Sequence, residues 1–116
     1  MQVAIKISDD LRNAASGVYM IRFSNGYFYI GATRNLKVRV TSHIGCIRSD
    51  FRSSSTAKGM RSMAGFEGEI EFILLESVNV PMYGYGLPQE LITKEREYKA
   101  PHINSDFLLN RIRILY

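Results

Sequence analysis

Asn25-Gly26 restricts the fold of this chain more than any other feature. The pair lies between Gly17 to Phe23 and Tyr27 to Ala32, two segments in which apolar and aromatic residues alternate. Asn and Gly tolerate the positive φ of a type I′ turn, so the two segments are predicted to pair as a hairpin. Each carries a tyrosine in a glycine-bearing tripeptide, Gly17-Val18-Tyr19 and Tyr29-Ile30-Gly31. Side chains on a strand alternate faces, so parity lets both phenols share one face without saying which.

Thr33 or Asn35 can cap a following helix that runs to about Ile47. Leu36, Val40, Ile44 and Ile47 recur at helical spacing and form its apolar face. Arg39 and His43, four apart, lie on one side of that helix. Both fall at the rim of the apolar arc, where a polar head can emerge between helix and sheet. Arg48 to Ser55 reads as a polar loop. Thr56 then caps a shorter helix with Ala57, Met60, Met63 and Ala64 on its inner side, a reading weakened by Gly59 and Gly65. Glu69 to Glu76 alternates and then becomes continuously apolar, as a central strand does. Pro88 at the first helical position starts a third helix through Glu90, Ile92 and Glu95 to about Tyr98, and Pro101 ends it. Arg111 to Ile114 alternates and reads as an edge strand. The fold class expected is α/β (α+β), a small sandwich with a central three-stranded antiparallel sheet flanked by helices.

At 116 residues the chain is sized for one domain, 1–116. Its net charge of +4 leans toward an anionic partner such as nucleic acid. A single cysteine, Cys46, cannot form an internal disulfide and reads as a small buried hydrophobe. Met1 to Ser8 is a short apolar alternation, too short for a signal peptide, and Asp9 and Asp10 cap a turn after it. No segment nears the roughly 18 apolar residues of a membrane span. The expectation is a soluble cytoplasmic protein with no membrane partner, of a size compatible with a phage or mobile-element origin.

The two tripeptides, Arg39 ten residues after Tyr29, His43 four later, and the acidic helix ending in Pro101 to Asn104 resemble the GIY-YIG endonuclease family. That family includes homing endonucleases and the N-terminal nuclease of the excinuclease C subunit. The resemblance covers about residues 17–104. It implies a metal-dependent endonuclease that hydrolyses DNA phosphodiesters. Tyr19 would orient or deprotonate the attacking water, with Tyr29 or His43 assisting. A tyrosine is a poor base at its reference pKa near 10, so Arg39 and the metal would have to favour the phenolate. Arg39 would hold the scissile phosphate, and Asn104 would brace the site by hydrogen bonds. A helix carboxylate would bind one divalent ion, magnesium or manganese. Glu95 is chosen because it precedes the aromatic Tyr98 by three, with Glu97 and then Glu90 as alternatives. The short run from Glu95 to Pro101 departs from the family pattern.

Arg34, Lys37, Arg48, Arg52, Lys58 and Arg61 form a basic set interrupted only by Asp50, and are expected to track a DNA backbone. Tyr83-Gly84-Tyr85-Gly86 is expected to be a loop with one ring on the core, with stacking on unpaired bases as its other reading. No appended recognition domain is visible, so target choice falls to DNA shape, a homodimer or a targeting partner protein. The rival reading is a catalytically inactive domain of this type that binds DNA or a protein. A toxin-like domain acting on RNA is a third.

Overall fold

The structure, a computed structural model, describes residues 3–49 and 58–109. The Thr56 cap, Ala57, Arg52 and the Arg111 to Ile114 strand lie outside the described residues, as does the side chain of Lys58. The elements in chain order are β1 (Val3–Ile7), α1 (Asp9–Asn13), β2 (Gly17–Phe23), β3 (Phe28–Thr33), α2 (Leu36–Arg48), α3 (Lys58–Arg61), β4 (Gly68–Ser77) and α4 (Gln89–Lys99). A 3-10 turn, Ala100–His102, continues α4 past the expected end and contains Pro101.

The sheet has four strands in the order β1-β4-β2-β3. The antiparallel trio β4-β2-β3 is the expected core, but the sheet is mixed. Val3–Ile7 adds a parallel edge along the first half of β4, from Val3 beside Gly68 to Ile7 beside Phe72. Val3–Ile7, within the N-terminal apolar alternation, is therefore a strand, and the expected three-stranded antiparallel sheet is corrected to this one. A five-residue segment with no turn signal tying it to a neighbour carries too little local information to announce a partner more than sixty residues away. β4 is central, as its continuous apolar end requires.

The hairpin forms where Asn25-Gly26 predicts it, with a different turn. Phe23 N–H donates to the Tyr27 carbonyl (2.8 Å) and Gly26 N–H to the Phe23 carbonyl (2.9 Å). This is a three-residue loop, with Gly26 at φ 98°, rather than the two-residue type I′ turn. Asn35 caps α2 by accepting from Val38 N–H at 3.2 Å, and Thr33 Oγ1 accepts from Asn35 N–H at 3.1 Å. Both candidate caps thus serve the same helix start. Pro88 is the N-cap of α4, one position earlier than expected. Ser8 caps α1, with Asp9 and Asp10 in its first turn. α3 is a single turn. Met60 and Met63 are buried, but Ala64 is exposed rather than inward. Gly59 costs helix propensity but is required, because a Cβ there would run into the Leu109 carbonyl.

Apolar side chains pack on both faces of the sheet. On one, Leu11, Leu36, Val40, Ile47 and Met60 from α1, α2 and α3 meet Ile21, Ile70 and Phe72. On the other, Leu91 of α4 meets Val18 and Ile30, with Tyr98 packed against them. Because β3 is an edge strand, α2 and α4 approach each other across that edge, and polar side chains from both can meet there.

Candidate active site

The register of β2 on β3 sets Tyr19 opposite Gly31 and Ile21 opposite Tyr29. The two tyrosines are therefore diagonal neighbours on one face, the one that α2 covers. Their ring centroids are 6.3 Å apart. Gly31 makes this possible: a Cβ there would lie 2.5 Å from the Tyr19 hydroxyl oxygen and 2.6 Å from Cζ. Gly17, the other tripeptide glycine, has φ 155° and lies so close to β4 that a Cβ would strike the Glu76 carbonyl. Gly31 thus makes room for the Tyr19 ring, and Gly17 for the backbone of β4. Because Tyr19 is fully buried, Gly31→Ala must push its ring aside, at a cost of about 1–3 kcal/mol for overpacking. Thermal melts should show that loss.

His43 lies deeper than the rim expected of it, 3% exposed beneath the two phenols. Its Nε2 is 2.9 Å from the Tyr19 hydroxyl. Its ring meets Tyr29 edge-on at 5.6 Å and Phe72 at 6.4 Å. Burial, with the Arg39 charge second, drags the His43 pKa from 6.5 to about 4. The imidazole is neutral at pH 7. The unfolded chain binds the proton more readily, so this group lowers stability as pH falls from about 6.5 toward 4 and has no effect above that window. The loss amounts to about 3 kcal/mol. Denaturant melts at pH 7 and pH 4 should show wild type losing about that much more than His43→Gln, which has nothing to titrate.

Burial, and then the neighbouring Tyr29, push the Tyr19 pKa well above the ordinary phenol value, and Arg39 offsets only part of this. Beside Arg39 alone, Tyr19 is therefore a protonated phenol. Arg39 is half-buried. Burial works against its charge, but interaction with Tyr19 and then Tyr29 outweighs that and raises its pKa.

Tyr19, Tyr29, Gly31, Thr33, Arg39 and Leu87 line a cleft of about 300 Å³, and Glu95 of α4 lines its far wall. A model of the GIY-YIG catalytic domain matches residues 15–100. The chain belongs to the GIY-YIG family. It is 30% identical over 71 residues to the UvrABC system protein C of Fusobacterium nucleatum subsp. nucleatum, a match covering 60% of this chain and 12% of that protein. The chain thus spans a small fraction of the length of this relative. No solved structure matches it. The GIY-YIG family is a nuclease family, and the cleft gathers both motif tyrosines and Arg39, with His43 directly behind.

Other expected site residues are dispersed. Glu97 is exposed and lies 3.8 Å from Lys94, away from the cleft. Glu90 is exposed in the first turn of α4. Asn104 is exposed beyond the 3-10 turn and is absent from the cleft lining. Lys37 and Arg48 are exposed on α2, about 200° and 180° around the helix from Arg39. They share a face pointing away from the cleft. Arg61 is exposed on α3. Arg34 is committed elsewhere: its guanidinium donates to the carbonyls of Gly86 (2.8 Å), Pro81 (2.9 Å) and Tyr83 (3.2 Å).

Sequence reasoning overlooked Lys99, whose Nζ is 2.9 Å from a Glu95 carboxylate oxygen, both side chains being less than a fifth exposed. The signal was available, since Glu and Lys four apart on a helix pair readily. Among the described residues no three His, Cys, Asp or Glu side chains cluster as a metal cage. A single cleft carboxylate fits an ion of the magnesium type, which keeps several waters and takes one or two carboxylates plus substrate phosphate oxygens. Among the described residues no helix is long and apolar enough to cross a membrane.

Proposed function

We propose that this protein is a metal-dependent endonuclease that hydrolyses DNA phosphodiester bonds in the cleft between β3, α2 and α4. The observation that carries this reading is the convergence of Tyr19, Tyr29, Arg39 and Glu95 on one cleft, with His43 hydrogen-bonded behind Tyr19. Arg39 is the cation of the cleft lining, and its planar fork can grip two phosphate oxygens. It holds the scissile phosphate and stabilises the charge that grows on it.

Tyr19 moves the proton. Its hydroxyl accepts a proton from the attacking water while donating its own to His43 Nε2, so the phenol ends neutral and the imidazole ends charged. The low pKa of His43 keeps it ready to accept at neutral pH. A phosphate bound at Arg39 cancels the guanidinium charge that depresses His43, so substrate arrival raises the proton affinity of the acceptor. Tyr29 packs edge-on against His43, fixing the ring plane, and lines the cleft beside the attacking water. Glu95 would hold magnesium or manganese, and such an ion, when bound, neutralises the phosphate and stabilises the leaving oxygen. Lys99 holds the Glu95 carboxylate in place through their ion pair. The net charge of +4, to which Lys37 and Arg48 contribute from the face turned away from the cleft, attracts DNA at long range, so affinity should fall with salt.

The Glu95–Lys99 ion pair favours a second reading. A carboxylate that never leaves its lysine would give a domain that binds DNA without cutting it. Incubating the protein with supercoiled, linear, branched and single-stranded DNA, with and without magnesium or manganese, separates the two. Cleavage that requires the ion supports the nuclease. Binding to these forms with no product from any of them would establish the non-cutting domain.

A further inference from the structure

Residues 82–87 concentrate exposed apolar surface beside the cleft. Tyr83 is 85% and Tyr85 104% exposed, flanked by the exposed Met82 and Leu87. The expected burial of one ring on the core does not occur. Patches of this kind on a small protein mark a contact surface. The loop is nevertheless held. Arg34 donates to three of its carbonyls, at Pro81, Tyr83 and Gly86. Gly84, at φ 154°, lies flat against that guanidinium, where a Cβ would come within 2.7–2.8 Å of it. An arginine that could have contacted phosphate is instead spent on fixing the backbone that carries two solvent-facing rings.

The loop also adjoins the site. Leu87 lines the cleft, and so does Thr33, the neighbour of Arg34. Tyr85 is two residues from Leu87, a separation of at most about 7 Å of chain. From Val78 to Gln89 no side chain carries a charge, so nothing there repels a polyanion or singles out a charged peptide.

We infer that Tyr83 and Tyr85 are a stacking platform for unpaired DNA bases next to the scissile phosphate, on a loop that Arg34 holds in place. The inference rests on the nuclease reading for its substrate and adds a preference within it. Paired bases are already stacked on each other and gain little from the rings. Bases freed at a gap, flap or mismatch present open faces, and each stacked on an aromatic gains about tenfold in affinity. Arg34 acts as a positioning residue, through the loop.

Two labelled DNAs of equal length, one fully paired and one with an internal unpaired stretch, test this by anisotropy titration at fixed salt with chelator present. Wild type should bind the unpaired form about tenfold or more tighter. Tyr83→Ala/Tyr85→Ala should bring the ratio near one, whereas Tyr83→Phe/Tyr85→Phe should keep it. Arg34→Ala, with both rings intact, should also lower the ratio, and Arg34→Lys should not restore it, because an ammonium cannot span three carbonyls in one plane. A wild-type ratio of one, a ratio that survives the double alanine change, or an equal loss on both DNAs would overturn the platform. Nicking of paired plasmid in magnesium reports on the nuclease reading separately, so either can fail alone.

Discussion

Replacing Arg39 with alanine should slow DNA cleavage by on the order of a hundredfold or more, the usual cost of a lost transition-state donor. Arg39 is half-buried in the cleft wall beside both phenols, so its charge acts where little water screens it. The ground-state contact is smaller than the transition-state one, so DNA affinity should fall much less than the rate. Arg39→Lys should recover only part of the rate, because lysine keeps the charge and loses the two-pronged grip. Single-turnover rates and binding titrations on the same preparations check both halves. The alanine variant should also release His43 from the second cause of its low pKa, which brings the folded value closer to the unfolded one and makes the acid stability loss smaller.

Glu95→Gln is expected to abolish cleavage while leaving the protein folded. The side chain reaches the cleft lining from α4, and its charge is felt at Tyr19. Glutamine keeps the shape and can still accept from Lys99, but it cannot supply the negative charge a divalent ion needs. Lys99 keeps a hydrogen-bond acceptor in the variant, one turn away on the same helix, so the protein should still fold and melt near wild type. Glu97→Gln should cut nearly as wild type, since Glu97 is exposed and turned to Lys94. The reverse pattern would move the metal ligand to Glu97. Magnesium-dependent cleavage curves for the two variants, with melts alongside, decide it.

The parts of this fold that announce themselves in the sequence are those with local causes. The hairpin follows from Asn25-Gly26, α2 from Asn35 and its apolar spacing, and β4 from its continuous apolar run. The shared face of Tyr19 and Tyr29 needs more than parity: it comes from the three-residue loop, since a two-residue turn at Asn25-Gly26 shifts the register by one and puts the phenols on opposite faces. What could not be read depends on distant chain. β1 finds its place only against β4. His43 goes deeper than its helical position implied, because Tyr19, Tyr29 and Phe72 close over it from three strand positions. Arg34 read as one member of a basic run, yet its partners are carbonyls about fifty residues away. The Tyr83 and Tyr85 rings were expected on the core because apolar rings usually bury. The charge-free sequence around them gave no sign that the loop would be pinned by its backbone instead.

On the nuclease reading, the cleft of Tyr19, Tyr29, Arg39 and Glu95 cuts phosphodiesters. The most direct measurement is the rate at which supercoiled circular DNA becomes nicked in magnesium, for wild type and Arg39→Ala purified side by side. Wild type should nick the circle and stop with chelator, and the variant should be at least about a hundredfold slower. Equal rates for the two proteins, or no nicking by wild type, would contradict that reading.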